Sequence, residues 1–136
     1  INLAIGQGML QASPLQMATV AAAVDAGQWR QPVLVTQPAI SPTAAAPALT
    51  PAVDATLKSF MKSVLEAGGT AAGAGLPADS FGKTGTAEFG PNSSQEHAWY
   101  IGFRGNLAFA VIVEGGGVGG AVAAPLAAGF LRNAPH

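Results

Sequence analysis

The sequence predicts an α+β domain, an antiparallel sheet meander flanked by helices. Three observations carry that expectation. Two helix starts, Ser13-Pro14 and Thr50-Pro51, pair a capping hydroxyl with a proline at the first helical position. Three strand-like stretches, 81–87, 98–104 and 107–114, follow one another with short connections. An alanine-rich apolar stretch, 121–131, then closes the chain as a third helix.

The first helix is expected over 14–26. Gln16 completes a capping box with Ser13, and Gly27 supplies the stop. Leu15, Met17, Val20, Ala21 and Val24 make its apolar face. It carries little charge, so burial on most sides is expected. The run Val33-Leu34-Val35-Thr36 is β-prone but bracketed by Pro32 and Pro38, which favours an isolated extended segment. Residues 39–49 read as a connection rich in alanine and proline. The second helix is expected over 51–67, with Val53, Leu57, Phe60, Met61, Val64 and Leu65 as its stripe and Gly68-Gly69 as its end. Asp54 and Lys58 form an i,i+4 pair on its wet face.

The organising stretch is Phe81–Glu88, FGKTGTAE. With period two, Lys83 and Gly85 point one way or lie flat, and Thr84 and Thr86 point the other. Gly85 lets another backbone approach closely. The hydroxyls and the ammonium are donors suited to an extended peptide that ends in a carboxylate. The same residues also suit a plain edge strand whose lysine and threonines face water and block aggregation. After a polar connection over 89–96 come the two further strands, joined at Gly105-Asn106. The last strand, 107–114, is apolar on both faces, as an interior strand would be, yet nothing after it offers a neighbour. Leu126, Phe130 and Val122 are expected to pack the last helix on the sheet, with Pro125 near its first turn.

Composition narrows the function classes. Charged residues are 10% of the 136, against roughly 25% in typical soluble domains, which points to surface that is normally covered. Net charge is −1 with no basic run, so no nucleic-acid partner is expected. There is no cysteine, which excludes disulfides and thiolate metal sites. His97 and His136 lack companions at ligand spacing, so neither a metal nor a cofactor is expected.

KTGTAE followed by His97-Ala98-Trp99-Tyr100 and Gly102-Phe103 resembles the third active-site motif and next strand of penicillin-binding protein transpeptidases. Ala4-Ile5-Gly6-Gln7-Gly8 resembles the family's IGQG segment and Ser13–Ala18 its TPLQMA segment. Gly69-Thr70-Ala71 resembles its GTA, and Pro125 in AAPLA its C-terminal helix. The ordered matches cover nearly the whole chain and fit class B, the monofunctional enzymes, best. The resemblance implies that residues 1–136 are the C-terminal portion of one transpeptidase domain of the serine β-lactamase/transpeptidase-like fold. The S-x-x-K and S-x-N motifs would lie upstream, and the upstream half would fill the missing place beside the last strand.

The resemblance also implies the chemistry. A serine outside this chain attacks a stem peptide ending in D-Ala-D-Ala, or a β-lactam antibiotic, and the acyl-enzyme is resolved into a peptidoglycan cross-link. Lys83 would be catalytic, Thr86 would give a backbone oxyanion donor, and Thr84, Gly85 and Thr86 would hold substrate. The loop around Gln7 would lie near the site. The protein would act at the extracytoplasmic face of the bacterial membrane, anchored by an N-terminal segment. Two other classes stay open: a non-catalytic fragment that docks on a partner chain, and a D,D-carboxypeptidase or β-lactamase of the same fold.

One motif misleads. Ser59-Phe60-Met61-Lys62 fits S-x-x-K. It stands too close to KTG and has no S-x-N between, so Ser59 is read as a polar residue on a helix surface. Trp99 and Tyr100 are read as core or edge aromatics beside the site rather than ligand contacts. His97 is read as a solvated hairpin histidine, not a base, and Glu88 has no role.

Overall fold

The computed structural model describes residues 10–38, 46–91 and 94–134. The IGQG loop and most of the alanine- and proline-rich connection lie outside the described residues. Helices α1 (Pro14–Ala26) and α2 (Pro51–Ser63) precede strands β1 (Phe81–Phe89), β2 (Gln95–Arg104) and β3 (Leu107–Val113), and helix α3 (Ala123–Asn133) follows. The strands form one antiparallel sheet in the order β1-β2-β3. The expected α+β meander is therefore the observed fold, with the lysine strand at one edge.

Local chemistry sets the helix starts. Ser13 Oγ accepts the Gln16 N–H, and the Gln16 side chain accepts the Ser13 N–H, so the capping box is closed. Thr50 Oγ1 accepts the Val53 N–H at 3.4 Å. The ends differ from expectation. α2 stops at Ser63 rather than 67, because the chain doubles back there: the Ala71 N–H donates to the Val64 carbonyl. Gly69 makes that possible, since a Cβ on it would sit 2.3 Å from the Ser63 and Val64 carbonyl oxygens. α3 begins two residues late, because residues 118–122 close turns onto Val118, with Ala121 and Val122 N–H donating to its carbonyl. Pro125 then falls in the first turn, where its missing N–H has no helical partner to lose. The β1–β2 hairpin is longer than the sequence implied, reaching Phe89 opposite Gln95. The Phe89 and His97 rings stack there at 3.9 Å. Residues 33–35 form no strand.

Register divides the sheet into two faces. Lys83, Gly85 and Ala87 share one with His97, Trp99 and Ile101, and with Ala110 and Ile112. On that face Ala21, Val24, Met61 and Phe103 form a core with Leu57, Phe81, Ile101 and Ala108. The other face carries Thr84, Thr86, Ala98, Tyr100, Phe109 and Val111. There α3 and the 64–76 segment cover the sheet, with Tyr100 and Leu131 at the centre.

The helices bury several alanines and only part of their large apolar residues. α3 buries Ala123, Ala124, Ala127, Ala128 and Leu131, while Leu126 and Phe130 stay 54% and 46% exposed. Alanines let the helix approach the sheet closely, and the Phe130 ring meets the Phe109 ring at 5.6 Å. α1 is covered on one side alone; Leu15 and Val20 are exposed. On α2, Met61 is buried but Phe60 is 65% exposed. Asp54 and Lys58 pair at 3.0 Å, but half-buried rather than fully wet. β3 is covered on both faces, as its pattern implied, and no strand lies beyond it among the described residues.

Candidate functional site

Among the described residues β1 is an edge strand, so its outer side is available there for pairing with an extended ligand. Beside it lies a cavity of about 260 Å³, walled by Leu10, Ala12, Met17, Trp99 and Ile101 and floored by residues 83–87. The walls are apolar and the strand supplies the polar groups. That mixture is typical of small-molecule sites.

Each predicted residue has a defined place. Lys83 is exposed on the α1 side, and its Nζ donates to the Thr84 carbonyl at 2.6 Å. It lines the apolar cavity and also a second, of about 460 Å³, formed by the turn over residues 63–70. Gly85 lies opposite Trp99. A Cβ on Gly85 would stand 3.1 Å from the Trp99 Cβ, so a larger residue would press on the cavity wall.

The threonines take the opposite face, as period two implied, and both hydroxyls have partners inside the protein. Thr84 is 9% exposed, and its Oγ1 lies 2.6 Å from Thr70 Oγ1. Thr86 Oγ1 accepts the Gly119 N–H at 3.2 Å. The glycine-rich turn before α3 therefore presses on the back of the strand. A Cβ on Gly119 would stand 2.2 Å from the Gly85 carbonyl oxygen, and one on Gly120 would stand 2.0 Å from that of Thr70. Only glycines allow so close an approach at these two positions.

The aromatic pair divides. Tyr100 is fully buried under α3, and burial holds its phenol well above its ordinary value of 10.0. Trp99, on the alternate face, walls the cavity. Reading the two together missed this; the alternation of a strand could have separated them. His97 does not reach the cavity. Its Nδ1 accepts the Gly115 N–H at 3.1 Å and its ring stacks on Phe89, so it fastens the loop after β3 rather than standing free in solvent. Thr70, Gly119 and Gly120 were not singled out from sequence as site residues; the GTA match was the only signal for Thr70.

Ser59 is exposed on α2. Lys62, three residues on, donates to the Ala78 carbonyl and lies over the Phe81 ring, 5.3 Å from its centre. It is thus committed elsewhere than to a serine nucleophile. No group of three or more His, Cys, Asp or Glu side chains poised for a metal occurs among the described residues. No described helix is long and apolar enough to cross a membrane.

The family model of the penicillin-binding protein transpeptidase domain matches residues 1–132. Among solved structures, penicillin-binding protein A from M. tuberculosis, in an imipenem acyl-enzyme complex, is 30% identical with a TM-score of 0.70. The match covers 96% of this chain and 32% of that one, so the chain spans about a third of the length of that relative. No curated protein sequence matches.

Proposed function

Since this chain belongs to the penicillin-binding protein transpeptidase domain family, we propose that it is the C-terminal portion of a peptidoglycan D,D-transpeptidase of class B. In this reading it supplies the substrate strand and the upstream half of the domain supplies the serine. The observation that carries the proposal is the edge of β1, unpaired among the described residues, with Lys83, Thr84, Gly85 and Thr86 beside an apolar cavity.

The chemistry follows from those groups. The serine oxygen forms a bond to the penultimate D-Ala carbonyl carbon, and the C–N bond to the terminal D-Ala breaks. That residue leaves as an amine, taking up a proton. An amine of a second stem peptide then displaces the serine and closes the cross-link. With a β-lactam the ring C–N bond opens and nothing leaves. Lys83 contributes positive charge near the developing oxyanion and the substrate carboxylate. The Thr86 N–H is the oxyanion donor, a contribution of roughly 2.7–4 kcal/mol in the transition state. Support for it comes from the Lys83–Thr84 contact, in which Lys83 Nζ reaches the Thr84 carbonyl at 2.6 Å. Thr84 and Thr86 share that side of the strand by period two. Thr84 and Thr86 hydroxyls hold the terminal carboxylate, and Gly85 keeps the edge clear for the peptide backbone.

A second reading rests on β3. Its faces are covered while its outer edge has no neighbour among the described residues, which suits a piece that docks on a partner chain. In the proposed domain the upstream half is that partner, and its place would be the extracytoplasmic membrane face, where peptidoglycan lies. The test is intact-protein mass after incubation with a β-lactam. Residues 1–136 alone should gain no adduct; joined to the upstream half they should be acylated. An adduct on 1–136 alone would overturn the assignment of the serine to the other half. No adduct on the joined protein would favour the docking reading. Turnover of the drug, or release of D-Ala without cross-linking, would point to a β-lactamase or a carboxypeptidase.

A further inference from the structure

We infer that Thr70 is a positioning residue that sets the direction of the Thr84 hydroxyl toward the substrate carboxylate. The inference rests on the function proposed above, in which Thr84 meets that carboxylate. Thr70 Oγ1 and Thr84 Oγ1 are 2.6 Å apart, the length of a strong O–H···O bond. Two hydroxyls that share one hydrogen bond have one hydrogen in it and one left over. If Thr84 gives its hydrogen to Thr70, it can only accept, and an accepting oxygen repels a carboxylate. If Thr70 is the donor, the Thr84 hydrogen is released for the carboxylate. An approaching anion selects the second arrangement, so the pair acts as a one-hydrogen relay.

The relay needs Thr70 held in place, and the backbone holds it from two sides. Gly69 seats the turn against the end of α2, with the Gly69 N–H donating to the Glu66 carbonyl at 2.8 Å and the Ala71 N–H to the Val64 carbonyl at 2.9 Å. Gly120 lies over the Thr70 carbonyl so closely that any side chain there would collide with it. Thr70 is thus fixed by a turn 14 residues from Thr84 in sequence. Thr70 lines the cavity of about 460 Å³ that Lys83 also borders, so it stands near the ammonium that attracts the anion.

The test uses the protein carrying both halves of the domain. Acylation rates are measured with a penicillin and with its methyl ester, which lacks the anionic carboxylate. The wild type should prefer the free acid. Thr70→Val keeps the shape and removes the hydroxyl; it should lower the acid-over-ester preference about tenfold, the scale of one hydrogen bond to a charged group. Thr70→Ser should restore it. A role confined to folding would slow both compounds alike and leave the ratio unchanged, and that result would overturn the inference. A wild type that neither compound acylates would instead refute the proposed function, which separates the two failures. Should Thr70→Val fail to fold, the ratio in Thr70→Ser against Thr70→Ala decides: equal ratios would also overturn the inference.

Discussion

Substituting alanine for Gly119 tests whether the turn before α3 sets the position of the site strand. The added Cβ would lie 2.2 Å from the Gly85 carbonyl oxygen and 2.5 Å from that of Trp99. Ordinary contact at such a Cβ begins at 3.4 Å, so relief needs a shift of about one ångström. Both obstacles are backbone atoms of paired strands, which cannot rotate aside as a side chain can. Gly119 also donates to Thr86, so the shift falls on the 85–86 peptide that would carry the oxyanion donor. Overpacking of this kind costs about 1–3 kcal/mol of stability. A displacement of about 1 Å at reacting groups costs on the order of 100-fold in rate. Gly119→Ala in the joined domain should therefore slow acylation by a fluorescent penicillin about 100-fold while the domain still unfolds cooperatively. The control is Gly129→Ala on α3, where the nearest neighbour of a Cβ is an Arg132 nitrogen at 3.8 Å. It should gain roughly 0.5–1 kcal/mol by helix propensity and leave acylation unchanged. Acylation of Gly119→Ala within threefold of wild type would refute the idea that this turn positions the strand.

Three further outcomes are expected. Tyr100→Phe removes a buried hydroxyl that has no hydrogen-bond partner among the described residues, so urea unfolding at pH 7 should show stability unchanged or raised by up to about 1 kcal/mol. The phenol titrates higher in the folded than in the unfolded chain, so the wild type should lose stability as pH rises above 10.0, and Tyr100→Phe should lose less; a destabilised Tyr100→Phe at pH 7 would show that the hydroxyl is satisfied. Ser59→Ala should leave β-lactam labelling of the joined domain intact, since Ser59 is exposed and Lys62 is engaged with Ala78; loss of the adduct would make Ser59 the nucleophile. Lys83→Ala should slow acylation more than Thr86→Ala, because the latter keeps the backbone N–H, and the reverse order in stopped-flow rates would count against the oxyanion assignment.

Much of this is legible in the sequence alone. Ser13 and Thr50 cap their helices through groups three residues away, so those starts follow from a few neighbouring side chains. The three strands and the edge position of Lys83 followed from turn residues and from period-two patterning, which are also local. The KTG stretch and its flanking segments were enough to indicate the family, since motif spacing along the chain needs no packing information.

What the tertiary structure alone decided lies at longer range. Alanines and Leu131 fill most of the contact of α3 with the sheet, Leu126 stays outside and Phe130 meets the Phe109 ring, because glycines 119 and 120 fit closely against Gly85 and Thr70. Thr84 finds Thr70 because the chain doubles back at Gly69, an event outside the reach of helix propensity, which carries the pattern on to residue 67. Trp99 and Tyr100 part company because one face of β2 borders a cavity and the other a helix. A sequence specifies the hydrogen bonds of its own turns and caps through residues that are always near one another. It specifies which distant surfaces meet only through their combined shape, and here those shapes are made by glycines, which present no side chain to read.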